Sequence, residues 1–223
     1  MEPRFERNIP SVTEEQQDSL RLRTAAVIGL GGLGGHACEL LSRLGIGTLI
    51  LCDGDRFSES NLNRQVLSHS ENLGENKAET AALRAKLIDP QIRTKVFPCF
   101  LTAENAAGIL SGADIVIDAL DSVSGRLLLE DACADFSVPL VHGAIAGWDW
   151  QAAFVTPGSG VLKRLYEGRT DADAVSVLPM TAAFCASLQV SLCLKYLLGE
   201  PAPADTLFTG SLSDPSLESL PLF

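Results

Sequence analysis

The stretch GLGGLGGHACELLSRLGIGTLILCDGD, residues 29–55, decides the fold. Four of its glycines, Gly29, Gly31, Gly32 and Gly34, crowd the end of the apolar run TAAVIG (24–29). Leu33, Ala37, Leu40, Leu41 and Leu44 then recur at helical spacing, Gly45 stops the helix, and TLILCD (48–53) reads as a second buried strand. Strand, glycine turn, helix, strand and acid in that order describe a nucleotide-binding unit. Glycine lets the backbone turn tightly and approach a phosphate, and the helix N-terminus supplies N–H donors with partial positive charge. The turn alone does not name the nucleotide.

The same alternation continues outward from this unit. The polar segment 54–75 has no sustained period and reads as a loop long enough to be functional. A helix is expected over 76–88, ended by the Asp89-Pro90 pair. RTKVFPC (93–99), ADIVIDAL (113–120) and VPLVHG (138–143) read as strands, with the helical patterns TAENAAGIL (102–110) and SGRLLLEDACADF (124–136) between them. This order predicts an α/β fold, a Rossmann-like, mostly parallel sheet with helices on both faces joined by right-handed crossovers. The texture changes after Gly147, where Pro and Gly break strand-like pieces. An apolar helix follows over 180–198, and TLFTGSL (206–212) and LESLPLF (217–223) read as short closing strands of an antiparallel C-terminal extension. Without an internal repeat or linker, the chain divides into an N-terminal helical arm, 1–23, and a single domain, 24–223.

Bulk properties exclude several classes. A chain of 223 residues with 46% apolar and 20% charged side chains is long enough for a substantial core and is not of disordered composition. Its 17 Lys+Arg against 28 Asp+Glu give a formal net charge of −11, which disfavours a nucleic-acid partner. The charged N-terminal stretch lacks the apolar core of a secretory signal, and no apolar run is read as approaching a bilayer span, so the expectation is a cytoplasmic protein with no membrane partner. Six scattered cysteines without a Cys-x-x-Cys pair read as buried free thiols. His36, His69 and His142 have no metal-like spacing and no evident acid partner; His36 and His69 read as exposed, His142 as packed at a strand end.

The charged side chains around the glycine turn carry the chemistry. Asp53 ends the second strand, where a carboxylate can accept from ribose hydroxyls; Asp55 stands open between that role and loop solvation or helix capping. NLNRQ (61–65) and Lys77 bring one guanidinium, one ammonium and several amides towards the same strand ends. A nicotinamide site needs little positive charge, whereas a triphosphate losing pyrophosphate needs Arg and Lys clamps, so the cluster favours ATP. Asp118 and Asp121 emerge near the carboxyl end of ADIVIDAL, both expected to face the crevice; Asp121 is placed to hold Mg²⁺, and Asp118 is open to capping the next helix.

These motifs resemble the ThiF/MoeB/HesA family, bacterial relatives of ubiquitin-activating enzymes. The resemblance runs in order through GLGGLG, the D-x-D at 53–55, NLNRQ at 61–65, LGENKAE at 73–79, DIVIDALDS at 114–122 and SLQVSLCLKYLLG at 187–199. It implies adenylylation, with ATP and Mg²⁺, of the C-terminal Gly-Gly carboxylate of a small ubiquitin-fold sulfur carrier. It implies that Asp53 holds the ribose, that Asn61, Arg64, Gln65 and Lys77 contact phosphates, and that Asp121 holds Mg²⁺. It also implies that Arg7 of RFERN reaches into the partner subunit's site of a homodimer. Leu188, Val190, Leu192 and Leu194 read independently as apolar surface for such a partner.

The sequence departs from the family in two places. The paired cysteines that hold a structural zinc in many members are missing near 157–165 and in the tail, so no zinc site is expected. The crossover stretch 158–178 has no cysteine, and Cys185 and Cys193 lie in an apolar helix, so no covalent enzyme–carrier adduct is expected. The alternatives are an NAD-dependent oxidoreductase, favoured only by the glycine turn and Asp53, and an RNA-acting or non-catalytic relative.

Overall fold

The computed structural model describes residues 2–171, 175–214 and 216–222. Eight strands form one mixed sheet: β1 (Thr24–Ile28), β2 (Thr48–Cys52), β3 (Arg93–Phe97), β4 (Ile115–Asp118), β5 (Leu140–Ala146), β6 (Asp149–Val155), β7 (Thr206–Ser211) and β8 (Ser216–Pro221). Their order across the sheet is β3-β2-β1-β4-β5-β6-β7-β8. The first five run parallel. The last three continue antiparallel. The reversal occurs at Gly147-Trp148, a two-residue connection in which Gly147 adopts φ +58°, so β6 returns beside β5 with no crossover helix.

The parallel strands read as continuous apolar runs because both faces are covered. Alternate residues of β1 show this: Ala25 and Val27 belong to the core on the side of α2 (Gly32–Leu44), α3 (Lys77–Ile88) and α7 (Pro179–Leu197), while Ala26 and Ile28 belong to the core on the side of α4 (Ala106–Leu110), α5 (Val123–Asp135) and α6 (Val161–Leu165). Before β1, a 3₁₀ helix at Pro3–Asn8 and α1 (Glu14–Leu20) close the opposite end of the sheet from the glycine turn, with Phe5 set against Gly45 at the foot of α2.

Two expectations about the long helix need correction. Pro179–Leu197 is long and apolar enough, by length and composition, to cross a bilayer, although no such run was anticipated; it packs instead on α2, β5 and β6. The four residues read as apolar surface face inward: Val190 and Leu192 are buried, and Leu188 and Leu194 pack partly buried against the core. The helix shows Met180, Phe184 and Tyr196 to solvent instead.

Candidate active site

The carboxyl ends of β1, β2 and β4 open into a cleft of about 1080 Å³ that extends over the β5–β6 hairpin. Gly29, Gly31 and Gly32 form one wall. Gly29 has φ +87°, and a Cβ there would stand 2.6 Å from the Ala119 carbonyl oxygen. Gly34 lies behind the wall and permits the contact between α2 and the turn, since its Cβ would fall 1.8 Å from the Gly29 carbonyl oxygen.

Asp53 fastens this turn. Its Oδ2 accepts from Leu30 N–H at 2.6 Å and its Oδ1 from Asp55 N–H at 2.8 Å. Burial raises its pKa above the usual carboxylate value, against the stabilising effect of those two amides. Each oxygen keeps a second lone pair, and the side chain borders the cleft. The Lys77 ammonium, its side chain 7% exposed at the first turn of α3, meets the Asp55 carboxylate, 56% exposed, at 3.0 Å. Asn76 caps α3 and also donates to the carbonyls of Asp53 and Asp55, so the D-x-D segment and Lys77 are built as one piece.

The 54–75 loop delivers Arg64 and Gln65 to the same wall. Arg64 Nη1 donates to the Ser60 carbonyl at 2.8 Å and to Asn63 Oδ1 at 2.9 Å, beside Gly32. The Gln65 carboxamide lies over Gly31, and its buried Oε1 has no hydrogen-bond partner. Asp121 also lines the cleft and is exposed. Asn61 is not brought to the cleft wall; its side chain accepts from Ser58 N–H at 3.1 Å in a capping box of the 3₁₀ turn Glu59–Asn61. Nor is Arg7: it lies exposed in the N-terminal 3₁₀ helix at the foot of α2, about 20 Å along that 13-residue helix from the glycine turn.

Asp118 does not face the crevice, and it does not cap α5. Ser122 supplies that cap, its Oγ accepting from Gly125 N–H, while Asp118 is wholly buried with Oδ2 at 2.7 Å from His142 Nδ1. His142 therefore has the acid partner that its sequence surroundings do not reveal. The two are opposed in the β4–β5 register, and strand alternation aligned across the pair would have found them. His36 is half-buried rather than exposed, and burial lowers its pKa.

Arg126, Gln151 and Tyr166 also line the cleft and were not anticipated. Tyr166 belongs to the crossover stretch 158–178, of which 172–174 lie outside the described residues. Asp171 of that stretch accepts from Val123 N–H and Ser124 Oγ at the start of α5, and Val177 forms a bridge with Gly147. Burial pushes the Cys185 and Cys193 thiols up to about 12, which disfavours thiolates there.

The ThiF family profile matches residues 5–222. The chain is 31% identical over 228 residues to a SAMP-activating enzyme E1 of Haloferax volcanii, a match covering 98% of this chain and 84% of that protein. It is 40% identical over 145 residues to a sulfur carrier protein adenylyltransferase of Thermus thermophilus, covering 65% of this chain and 54% of the relative, so the match spans about half the relative's length. The crystal structure of E. coli MccB with ATP superposes with a TM-score of 0.84, covering 100% of this chain and 72% of that one; at 19% identity it establishes the fold.

Proposed function

The chain belongs to the ThiF family, and from that premise we propose that it uses ATP to adenylylate the C-terminal glycine carboxylate of a small ubiquitin-like sulfur carrier, preparing it for thiocarboxylate formation. The observation that carries this reading is the convergence of Lys77, Arg64, Gln65 and Asp121 on one glycine-walled cleft. The names of the Haloferax and Thermus relatives support the carrier as substrate class.

Each side chain has work that its position allows. The free lone pairs of Asp53 would accept from ribose hydroxyls. Lys77 would exchange its Asp55 partner for phosphate oxygens, and Arg64 would release the Ser60 carbonyl to do the same. The unpartnered Gln65 oxygen would receive a ligand donor beside the turn. Among the described residues no group of three or more His, Cys, Asp or Glu side chains is arranged to hold a metal ion. A lone exposed carboxylate fits Mg²⁺, which takes one or two carboxylates and completes its shell with water and substrate phosphates. Asp121 would hold that ion, which when bound neutralises charge on the phosphates. The same positive cluster speaks against a nicotinamide, and the net charge of −11 against RNA.

The reading includes a homodimer in the cytoplasm. Arg7 stands too far from its own cleft to serve it, so it would serve the partner's. The test is exchange of labelled pyrophosphate into ATP, which reversible adenylate formation requires and which should depend on a carrier ending in Gly-Gly. Asp121→Ala should lower it by about 100-fold or more with the fold intact. Tight NADH binding without exchange for any carrier overturns the proposal.

A further inference from the structure

Beneath the cleft floor lies a polar chain that adenylation does not use. Asp118 and His142 are both 0% exposed and joined Oδ2 to Nδ1 at 2.7 Å. A carboxylate accepts, so Nδ1 carries the proton; burial lowers the His142 pKa and favours the neutral ring, in which Nε2 is an acceptor. That nitrogen is 3.2 Å from the Tyr166 hydroxyl and 3.1 Å from Gln151 Nε2. The Tyr166 oxygen receives Gln151 Nε2–H at 2.9 Å and Arg126 Nη1–H at 3.1 Å, so its own proton is directed to His142. Burial raises the Tyr166 pKa and keeps the phenol protonated. Tyr166, Gln151 and Arg126 all border the cleft. A neutral base therefore sits one hydroxyl away from the ligand space, backed by a buried carboxylate.

The groups around this histidine suit it to take a proton transiently. Asp118 and Glu130 favour the imidazolium, while Arg126 and burial oppose it. The Cys133 and Cys185 thiols, within electrostatic reach of Asp118, are themselves held protonated by burial. On the α7 side the facing group is the uncharged Gln189 amide, which donates to the carbonyls of Asp118 and Val141.

We propose that Tyr166, His142 and Asp118 form a proton relay for the step after adenylation, in which a sulfur nucleophile displaces AMP from the carrier acyl-adenylate. The proposal rests on the adenylation reading above. With hydrogen sulfide as nucleophile, a sulfur lone pair forms the bond to the carbonyl carbon, and the carbon–oxygen bond to the phosphate breaks with its electron pair leaving on AMP. Arg126, which borders the cleft, turns from the Tyr166 oxygen to the departing phosphate and frees a lone pair there; one S–H proton passes to that lone pair as the Tyr166 proton moves to His142 Nε2, and the second leaves the thiocarboxylic acid to solvent. Tyr166 is the catalytic residue, and His142 and Asp118 act through it.

The test measures both half-reactions on the full chain with Mg-ATP and a Gly-Gly carrier. Pyrophosphate exchange reports adenylation, and sodium sulfide added to the formed adenylate gives thiocarboxylate, followed by rapid quench and mass spectrometry. Tyr166→Phe and His142→Gln should each lower the ratio of transfer rate to exchange rate by about tenfold or more, the lower range of general acid–base effects. His142→Gln should also flatten the component of the pH–rate profile that exceeds the ionisation of sulfide itself. If His142→Gln does not fold, Tyr166→Phe, which removes a single oxygen, decides alone. An unchanged ratio overturns the relay, and so does an equal fall in both rates, which would mark a purely structural network. Absence of exchange in the wild-type protein overturns the adenylation reading instead, and the relay with it.

Discussion

His142 ties the acid stability of the fold to one buried proton site. Its pKa is lowered below the ordinary 6.5, so beneath that pH the unfolded chain binds a proton that the native protein refuses. Stability should therefore fall as pH drops through about 6.5, with a limiting slope of about 1.4 kcal/mol per pH unit until the folded-state pKa is reached. His36 shifts the same way. Asp53 has the opposite sign: its raised pKa returns stability as pH falls through the folded value towards the ordinary 3.8, in a lower window. Urea titrations between about pH 7.5 and about 5.5 should show the loss, and His142→Gln should shrink the slope by its own share; an unaltered slope would place the proton uptake elsewhere. The residues readable in sequence, Gly29, Asp53 and Lys77, lie in compact local motifs. Asp118 with His142, 24 residues apart, and Arg126 with Tyr166, 40 apart, meet only through strand register and the crossover stretch, which no local pattern encodes.

At the scale of elements, the glycines of the first turn divide into two kinds, and substitution should separate them. Gly34→Ala drives a Cβ into the Gly29 carbonyl at 1.8 Å, a backbone clash that neither partner can relieve cheaply. Loss of about 3 kcal/mol or more is expected, read as a large fall in thermal midpoint. A Cβ on Gly32 meets only Ala182 at 3.5 Å and Arg64 at 3.7 Å, ordinary contacts, so Gly32→Ala should fold and instead weaken ATP binding by crowding the cleft wall. Equal stability of the two variants would contradict the geometry. Apolar runs revealed the buried parallel strands, and helical spacing the helices between them, up to β5. They did not reveal how the 54–75 loop is ordered. Asn72, Asn76 and Arg56 hold that loop through bonds to backbone carbonyls, and side-chain amides leave no hydrophobic period to read.

The whole molecule needs a second copy if Arg7 is to work. The surface for it is not the one anticipated on α7, whose leucines serve the core. Leu62 and Val66 on the loop and Met180 and Phe184 at the start of α7 are exposed apolar side chains, and the bond from Asn63 Nδ2 to the Val177 carbonyl ties these two segments together. Light scattering at micromolar concentration should give twice the chain mass, and Met180→Glu with Phe184→Glu should reduce it to one. In the dimer, Arg7→Ala should lower pyrophosphate exchange while leaving the mass unchanged. A wild-type monomer with full exchange would dispose of the role given to Arg7.

The strand order has a further consequence for how the molecule could be divided. β1 to β3 are contiguous in sequence and in space, as are β4 to β8, and the two blocks meet along the β1–β4 pairing and the packing of α2 on α7. The glycine wall belongs to the first block and Asp121, Tyr166 and Gln151 to the second, so the candidate site is a seam between two halves, neither of which contains it. Cutting the chain in the connection after β3 would leave two pieces, each with a complementary raw edge, and recovery of nucleotide binding on mixing them would report their reunion.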